Sequence, residues 1–249
     1  MTPLRALVLG VLAYGAFLAA TLPAGVAASR ITAASAGVVR LSAVTGTVWQ
    51  GSAQVNVAAP GLAFTLDQAR WRFLPSRLLA GRFAFDIEAG LASLQARGEA
   101  SRSITAWHLD DFHAGGDAAA LAAFFPLVAA WQPAGPLAID AQALSWNGEQ
   151  ASGTAAAQWR DASLALSPVR PLGSWRALAA GEGSSLRVEL ATTEGPLRLS
   201  GKGALAIPGG RFAFSGQARA EPRRERDLED LLNLLGARRA DGARAIEIR

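Results

Sequence analysis

From Val38 onward, apolar and polar residues alternate. Arg82-Phe83-Ala84-Phe85-Asp86-Ile87-Glu88 puts Phe83, Phe85 and Ile87 on one side of a strand, and Leu186-Arg187-Val188-Glu189-Leu190 does the same. Leu197-Arg198-Leu199 and Phe212-Ala213-Phe214 follow the pattern. Period two gives a sheet one apolar and one polar face, whereas parallel strands buried on both faces read as continuous apolar runs. Turn signals recur at short intervals: Ala59-Pro60-Gly61, Asn147-Gly148, Glu194-Gly195-Pro196 and Pro208-Gly209-Gly210. The last of these joins Ala204–Ile207 to Arg211–Phe214 as a hairpin. The pattern predicts a mainly β chain of about 10–13 short antiparallel strands.

Two later segments read as helical. Asp117 is placed to cap an apolar stretch from Ala118 to Trp131 that Pro126 interrupts, a short central helix packed on the sheet. Between Arg224 and Leu235, Leu228, Leu231, Leu232 and Leu235 form one apolar stripe, with acidic residues early and Gly236 at the end. This predicts a C-terminal amphipathic helix over 224–235, and Ala243–Ile248 reads as a last strand. The central segment, 117–131, divides the β region into possible halves, 30–116 and 132–220. Each half has a Trp followed two residues on by Gly (Trp49 and Gly51, Trp146 and Gly148) and later a Trp-Arg pair (Trp71-Arg72, Trp159-Arg160). The spacings differ, so the duplication is weak. One shared sheet and two domains are both compatible with it.

The N-terminus has a different pattern. Between Arg5 and Arg30 no charged residue occurs. A helix of about 20 residues crosses the hydrocarbon core. Val26-Ala27-Ala28 suits a signal-peptide cleavage site, but the apolar core is long for a signal peptide and favours an uncleaved anchor. The expectation is a transmembrane anchor over 6–29, a cytoplasmic tail over 1–5 and an exported domain over 30–249, with the N-terminus inside.

Composition removes function classes more than it selects one. There is no cysteine, so disulfides, thiolate-bound metals and thiol nucleophiles are excluded. The formal charge is +4, and all of the 24 basic residues except Lys202 are arginine. That balance lacks the clustered basic face of a nucleic-acid binder. His108 and His113, with Asp110 and Asp111, are the one cluster of metal-ligand residue types. Five residues apart, the two histidines point to opposite sides of a regular strand, and zinc needs three or four converging ligands. The cluster therefore reads as a solvated strand end. Gly201-Lys202-Gly203 lacks the strand–loop–helix context of a phosphate loop and reads as a strand bulge. No nucleophile elbow or HExxH is present. No catalytic, cofactor-binding or metal residue is assigned. The seven tryptophans are either the large packing units of an alanine-rich core or an exposed strip for a lipid or partner.

Three runs carry a resemblance. These are Gly46-Thr47-Val48-Trp49-Gln50-Gly51, the longer stretch Trp159-Arg160-Asp161-Ala162-Ser163-Leu164-Ala165-Leu166-Ser167-Pro168-Val169-Arg170-Pro171-Leu172-Gly173-Ser174-Trp175, and Leu231-Leu232-Asn233-Leu234-Leu235-Gly236 followed by Asp241-Gly242. In order and length the chain resembles the type II secretion system protein N family of Gram-negative bacteria. The resemblance implies a single-pass inner-membrane protein with a periplasmic β domain, an accessory of the machine that exports folded proteins. It implies other secretion subunits as partners, and no enzymatic activity, cofactor, small-molecule substrate or nucleic acid. Similarity to other periplasmic proteins with one-sided sheets implies a curved antiparallel sheet. Its terminal strands, Gly37–Val44 and Ala243–Ile248, are the expected edges for a partner strand. A lipid-handling or membrane-maintenance protein with an apolar sheet groove is the alternative reading. A hydrolase or metal enzyme built on His108 and Asp110 is the third.

Overall fold

The computed structural model describes residues 3–59, 62–124 and 126–248. Met1 and Thr2 of the expected tail, Pro60 and Gly61 of the first expected turn, Phe125 and Arg249 lie outside the described residues. The chain opens with α1 (Pro3–Ala20) and α2 (Ala24–Ala34). Six strands follow: β1 (Val39–Gly46), β2 (Gln50–Ala59), β3 (Leu62–Phe73), β4 (Phe83–Leu91), β5 (Leu94–Arg102) and β6 (Trp107–Asp117). After two four-residue helices, α3 (Leu121–Phe124) and α4 (Pro126–Ala129), come β7 (Pro136–Trp146), β8 (Ala151–Ala162), β9 (Gly173–Gly183), β10 (Ser185–Glu194), β11 (Leu197–Ala206) and β12 (Phe212–Ala220). A last helix, α5 (Glu229–Leu235), precedes β13 (Arg244–Ile248).

The expected anchor over 6–29 is not one helix. Thr21-Leu22-Pro23 divides the apolar run, because Pro23 has no N–H and adopts an extended conformation (φ −64°, ψ 140°). The Leu22 carbonyl accepts the Val48 N–H at 3.0 Å, and Pro23 bridges Thr47, so this corner is tied to the sheet. The 18 residues of α1 measure about 27 Å, short of a hydrocarbon core of about 30 Å. Among the described residues, no helix is long and apolar enough to cross a membrane. The expected transmembrane helix, and the single-pass topology built on it, are corrected accordingly.

All 13 strands form one antiparallel sheet in sequence order. The expected curved sheet is also corrected: this one is open, with β1 and β13 at its two ends, and is not strongly bent. The register divides it cleanly. One face carries Val57, Phe64, Phe73, Phe85, Leu109, Ile139, Leu144, Leu186, Leu199 and Phe214, and the other carries Arg72, Asp86, Glu99, Asp140, Arg187, Glu189 and Lys202. Pairs such as Arg72–Asp86 at 2.6 Å and Lys202–Glu189 at 2.8 Å lie on this second, charged face. They are solvent-exposed and contribute little each.

The β1–β2 and β7–β8 hairpins share one irregularity. Ala43 (φ 49°) and Ala143 (φ 48°) form left-handed bulges. Just beyond them Thr45 meets Ser52 at 2.9 Å, and Ser145 meets Ser152 at 2.8 Å. The two hairpins thus repeat one hundred residues apart, a relation that the unequal Trp spacings hide.

The apolar face is covered unevenly. At the β9–β13 end, Leu172, Trp175, Leu197, Ala218, Leu228, Leu231 and Leu232 form the main core. The C-terminal helix is shorter than the stripe suggested. Residues 222–228 are turns, and α5 begins at Glu229. Leu228 is still fully buried. Gly236 ends α5 in an extended conformation, and a Cβ there would collide with the Ala245 carbonyl. The central 117–131 segment is a 3-10 turn, Ala118–Ala120, followed by α3 and α4 rather than one helix. Asp117 does cap its start, accepting the Ala119 N–H at 2.8 Å.

Candidate functional site

The seven tryptophans divide into two groups. Trp49, Trp71, Trp159 and Trp175 donate their indole N–H to the carbonyls of Ala19, Thr47, Ala134 and Leu197, at 2.6 to 3.2 Å. Trp159 and Trp175 pack edge to face at 5.4 Å beside the main core. These are packing units whose polar end is satisfied. Trp107, Trp131 and Trp146 are instead about half exposed. Trp107 and Trp146 sit directly opposite each other on β6 and β7.

This pair marks an apolar groove of about 490 Å³. Leu109 and Leu144 form its floor next to the tryptophans, with Ala100 on β5 and Ala151 on β8. Leu186, Leu205 and Ile207 form the far wall. The lining comes from β5 to β8 and from β10 and β11, in a sheet that stays open. Arg102 lies opposite Trp107 in the same row, with its guanidinium 5.1 Å from the indole centroid. Among the described paired positions of the apolar face, Arg102 and Arg244 are the charged residues. Arg244 is buried and donates to Asn233 Oδ1 at 2.6 Å, whereas Arg102 stands at the groove mouth.

Further along the same face of β6 and β7, a second apolar cavity of about 220 Å³ lies beneath Leu121 and Phe124 of α3, lined also by Phe112, Ala114 and Ile139. The central segment therefore covers one end of the apolar face and leaves the other open.

The open end gathers further apolar side chains. Leu79, between β3 and β4, and Ile104, between β5 and β6, are 94% and 95% exposed. α1 meets the sheet at this end through the Trp49 N–H on Ala19. Its side chains Leu7, Leu9, Val11, Leu12, Tyr14, Phe17 and Leu18 are 49–65% exposed. At 100° per residue these seven point to all sides of the helix.

Both sheet edges, by contrast, are engaged by the chain itself. α2 runs beside β1 from the Pro23–Thr47 bridge to Ser35, whose Oγ meets the Val39 N–H at 3.1 Å and the Val39 carbonyl at 3.2 Å. On β13, Ala245 donates to the Ala237 carbonyl and its Ala243 neighbour accepts from Arg239. The expected edges are the terminal strands, and helix and loop cover them in part.

The titratable candidates fall on the charged face. The Asp110–Asp111 bulge (Asp111 φ 49°) inserts one residue, so His108 and His113 share a side rather than pointing apart. They do not converge. His108 Nε2 pairs with Ser103 Oγ at 3.2 Å, Asp110 with Arg82 at 3.1 Å, and His113 Nδ1 with Asp140 at 2.6 Å. Among the described residues, no three His, Cys, Asp or Glu side chains are grouped to hold a metal. Lys202 pairs with Glu189 and holds that carboxyl below the usual carboxylate range. The expected bulge at Gly201-Lys202-Gly203 is corrected, since the register of β11 runs through it unbroken. The glycines make room for the Phe214 ring, which lies across Gly201. Gly201→Val is therefore expected to destabilise the sheet by about 1–3 kcal/mol through overpacking, read as a lower urea midpoint.

A family model, type II secretion system protein N, matches residues 38–247, which is the sheet from its first strand to its last. The chain belongs to the type II secretion system protein N family. No curated protein matches the chain. No solved structure matches it either. Members of this family are accessory components of the secretion system rather than catalysts, and this chain is not an enzyme. The tryptophan pair on adjacent strands was hidden in the sequence. Trp107 begins a strand and Trp146 ends one, 39 residues, about one hairpin-and-linker apart. Only the strand pairing brings them together.

Proposed function

We propose that this accessory protein holds another type II secretion subunit through α1, with the 13-stranded sheet as the rigid support. The observation that carries this reading is the exposure of apolar side chains on every side of α1. A helix that is apolar all round is normally buried, because each Leu, Val or Phe removed from water contributes about 1.5–3 kcal/mol. Within the chain, α1 is held mainly at its C-terminal end, by the Trp49 bond and the Leu22–Val48 corner. The partner surface is an apolar helix of another subunit, which covers Leu12 and Phe17 without presenting an unpaired backbone group. The sheet edges suit a partner strand less well, because α2 and residues 237–239 already lie along them.

The test is photo-crosslinking from Leu12 and Phe17 in cells that carry the whole secretion system. The expected result is an adduct with one secretion subunit from both positions and none from Arg187 on the charged face. Adducts confined to lipid, or equal from all three positions, overturn the reading.

A further inference from the structure

We infer that the groove beside Trp107 and Trp146 is a binding site for a long-chain anionic amphiphile, with its alkyl tail along β6 and β7 and its head group at Arg102. This goes beyond the secretion-subunit contact proposed for α1 and uses different residues.

The lining decides the tail. The strands that floor the groove spend their backbone N–H and carbonyl groups on one another, and the polar lining residues His108, Ser145 and Ser152 sit at positions of the opposite face and are bonded to Ser103 and to each other, so the lining from Leu109, Leu144, Leu186 and Leu205 is apolar. A peptide entering here would leave its own N–H and carbonyl groups without partners, at a cost of roughly 1–3 kcal/mol each. An alkyl chain brings no such groups. The volume of about 490 Å³ lies within the range of small-molecule sites.

Length points the same way. The apolar face continues from Trp107 and Leu109 to Phe112 and Ala114, where the second cavity lies beneath α3. Seven residues of strand cover about 24 Å, and one acyl chain occupies about 15 Å of a bilayer leaflet. A tail of that length fits between the open mouth and the α3 cover.

The mouth decides the head group. Trp107 and Trp146 are half exposed, which suits indoles with an apolar body against a tail and an N–H toward water. Arg102 is the cation beside them, held over the Trp107 ring. A guanidinium so placed donates to a carboxylate or a phosphate through two parallel N–H groups.

The test uses the purified full chain and 9,10-dibromostearate, whose bromines quench nearby indoles. Saturable quenching is expected in the wild type. Ala151→Phe, which fills the groove, is expected to weaken binding at least tenfold while the far-UV dichroism and melting temperature stay unchanged. Arg102→Gln is expected to weaken dibromostearate but not the matching dibrominated alcohol, which has no charge. Unsaturable quenching, or equal affinity in wild type and Ala151→Phe, overturns the site. Equal effects of Arg102→Gln on the acid and the alcohol overturn the head-group assignment. Mass spectrometry of an organic extract of the protein purified without detergent separates the sources. A fatty acid or a phospholipid supports the site and names its source, and neutral lipid alone overturns the anionic class.

Discussion

Replacing Leu172 or Leu228 with alanine is expected to lower the unfolding free energy by about 2–5 kcal/mol. Both side chains are completely buried. They belong to a core in which many of the other fully buried residues are alanines, such as Ala162 and Ala218. Leu172 and Leu228 are among the largest fully buried side chains, and the alanines beside them are too small to fill the volume that either would leave. Leu172 is also pinned by its backbone. Its N–H donates to the Ala162 carbonyl at 2.7 Å, and its carbonyl accepts the Leu197 N–H at 2.9 Å. A pinned backbone cannot move inward to close the cavity, which places Leu172→Ala toward the upper part of that range. Leu228 joins the turns of 222–228 to α5, so its loss also loosens the cover over β12 and β13. Leu79→Ala is the matched control: the side chain is almost fully exposed, and the expected change is within about 0.5 kcal/mol. Urea unfolding followed by tryptophan fluorescence reads all three. A change of less than about 1 kcal/mol for both core variants shows that the β9–β13 cluster is not the main source of stability.

The sheet was legible in the sequence because its signal is local. Alternation at Phe83–Ile87 and Leu186–Leu190 needs no knowledge of the partner strand, and both stretches are strands whose expected apolar residues share one face, with Phe83 and Ile87 exposed on it. The helices were less legible because tertiary contacts set their ends. The leucine stripe reaches back to Leu228, yet residues 222–228 are turns in which Leu228 alone is buried, since burial of a side chain does not require a helix beneath it. Pro23 was visible in the sequence, but its effect depends on Thr47 and Val48, which hold the corner from a distant part of the chain, beyond the reach of any local signal. The histidines failed for a third reason. A bulge at Asp111 changes the count of residues between faces, and alternation arguments assume that count is regular. The groove was named only as a class of feature. Phe83, Phe85 and Ile87 lie on the apolar face, but the groove is centred on Trp107, Trp146 and Leu144. Pairing across β5 to β11, which no local pattern encodes, decides that position.

Leu12→Asp combined with Phe17→Asp is expected to abolish secretion while leaving the sheet intact. These positions lie about 140° apart on α1, flanking the Leu9 side that the proposed partner helix covers. Each carboxylate would enter an apolar contact without a counter-charge, at a cost of about 3–5 kcal/mol when buried and unpaired. Even one such term weakens the contact more than a hundredfold. The free protein is spared this cost, because both side chains already face solvent, and surface substitutions of this kind change stability by about 0.5 kcal/mol or less. The melting temperature and the unfolding midpoint therefore stay at wild-type values while the exported proteins accumulate inside. A charge change on the opposite face provides the comparison. Lys202→Ala removes the partner of Glu189 and returns that carboxyl upward toward its ordinary range, yet it touches neither α1 nor the groove. Secretion should be unchanged in that variant. If the α1 double variant secretes normally, the subunit contact lies elsewhere. If it fails to secrete but also melts early, the defect is in folding, and the single variants at Leu12 and Phe17, read by crosslinking at the other position, separate the two cases. α1 meets the sheet mainly at its C-terminal end, so a loss of secretion at constant stability isolates what α1 does for a partner.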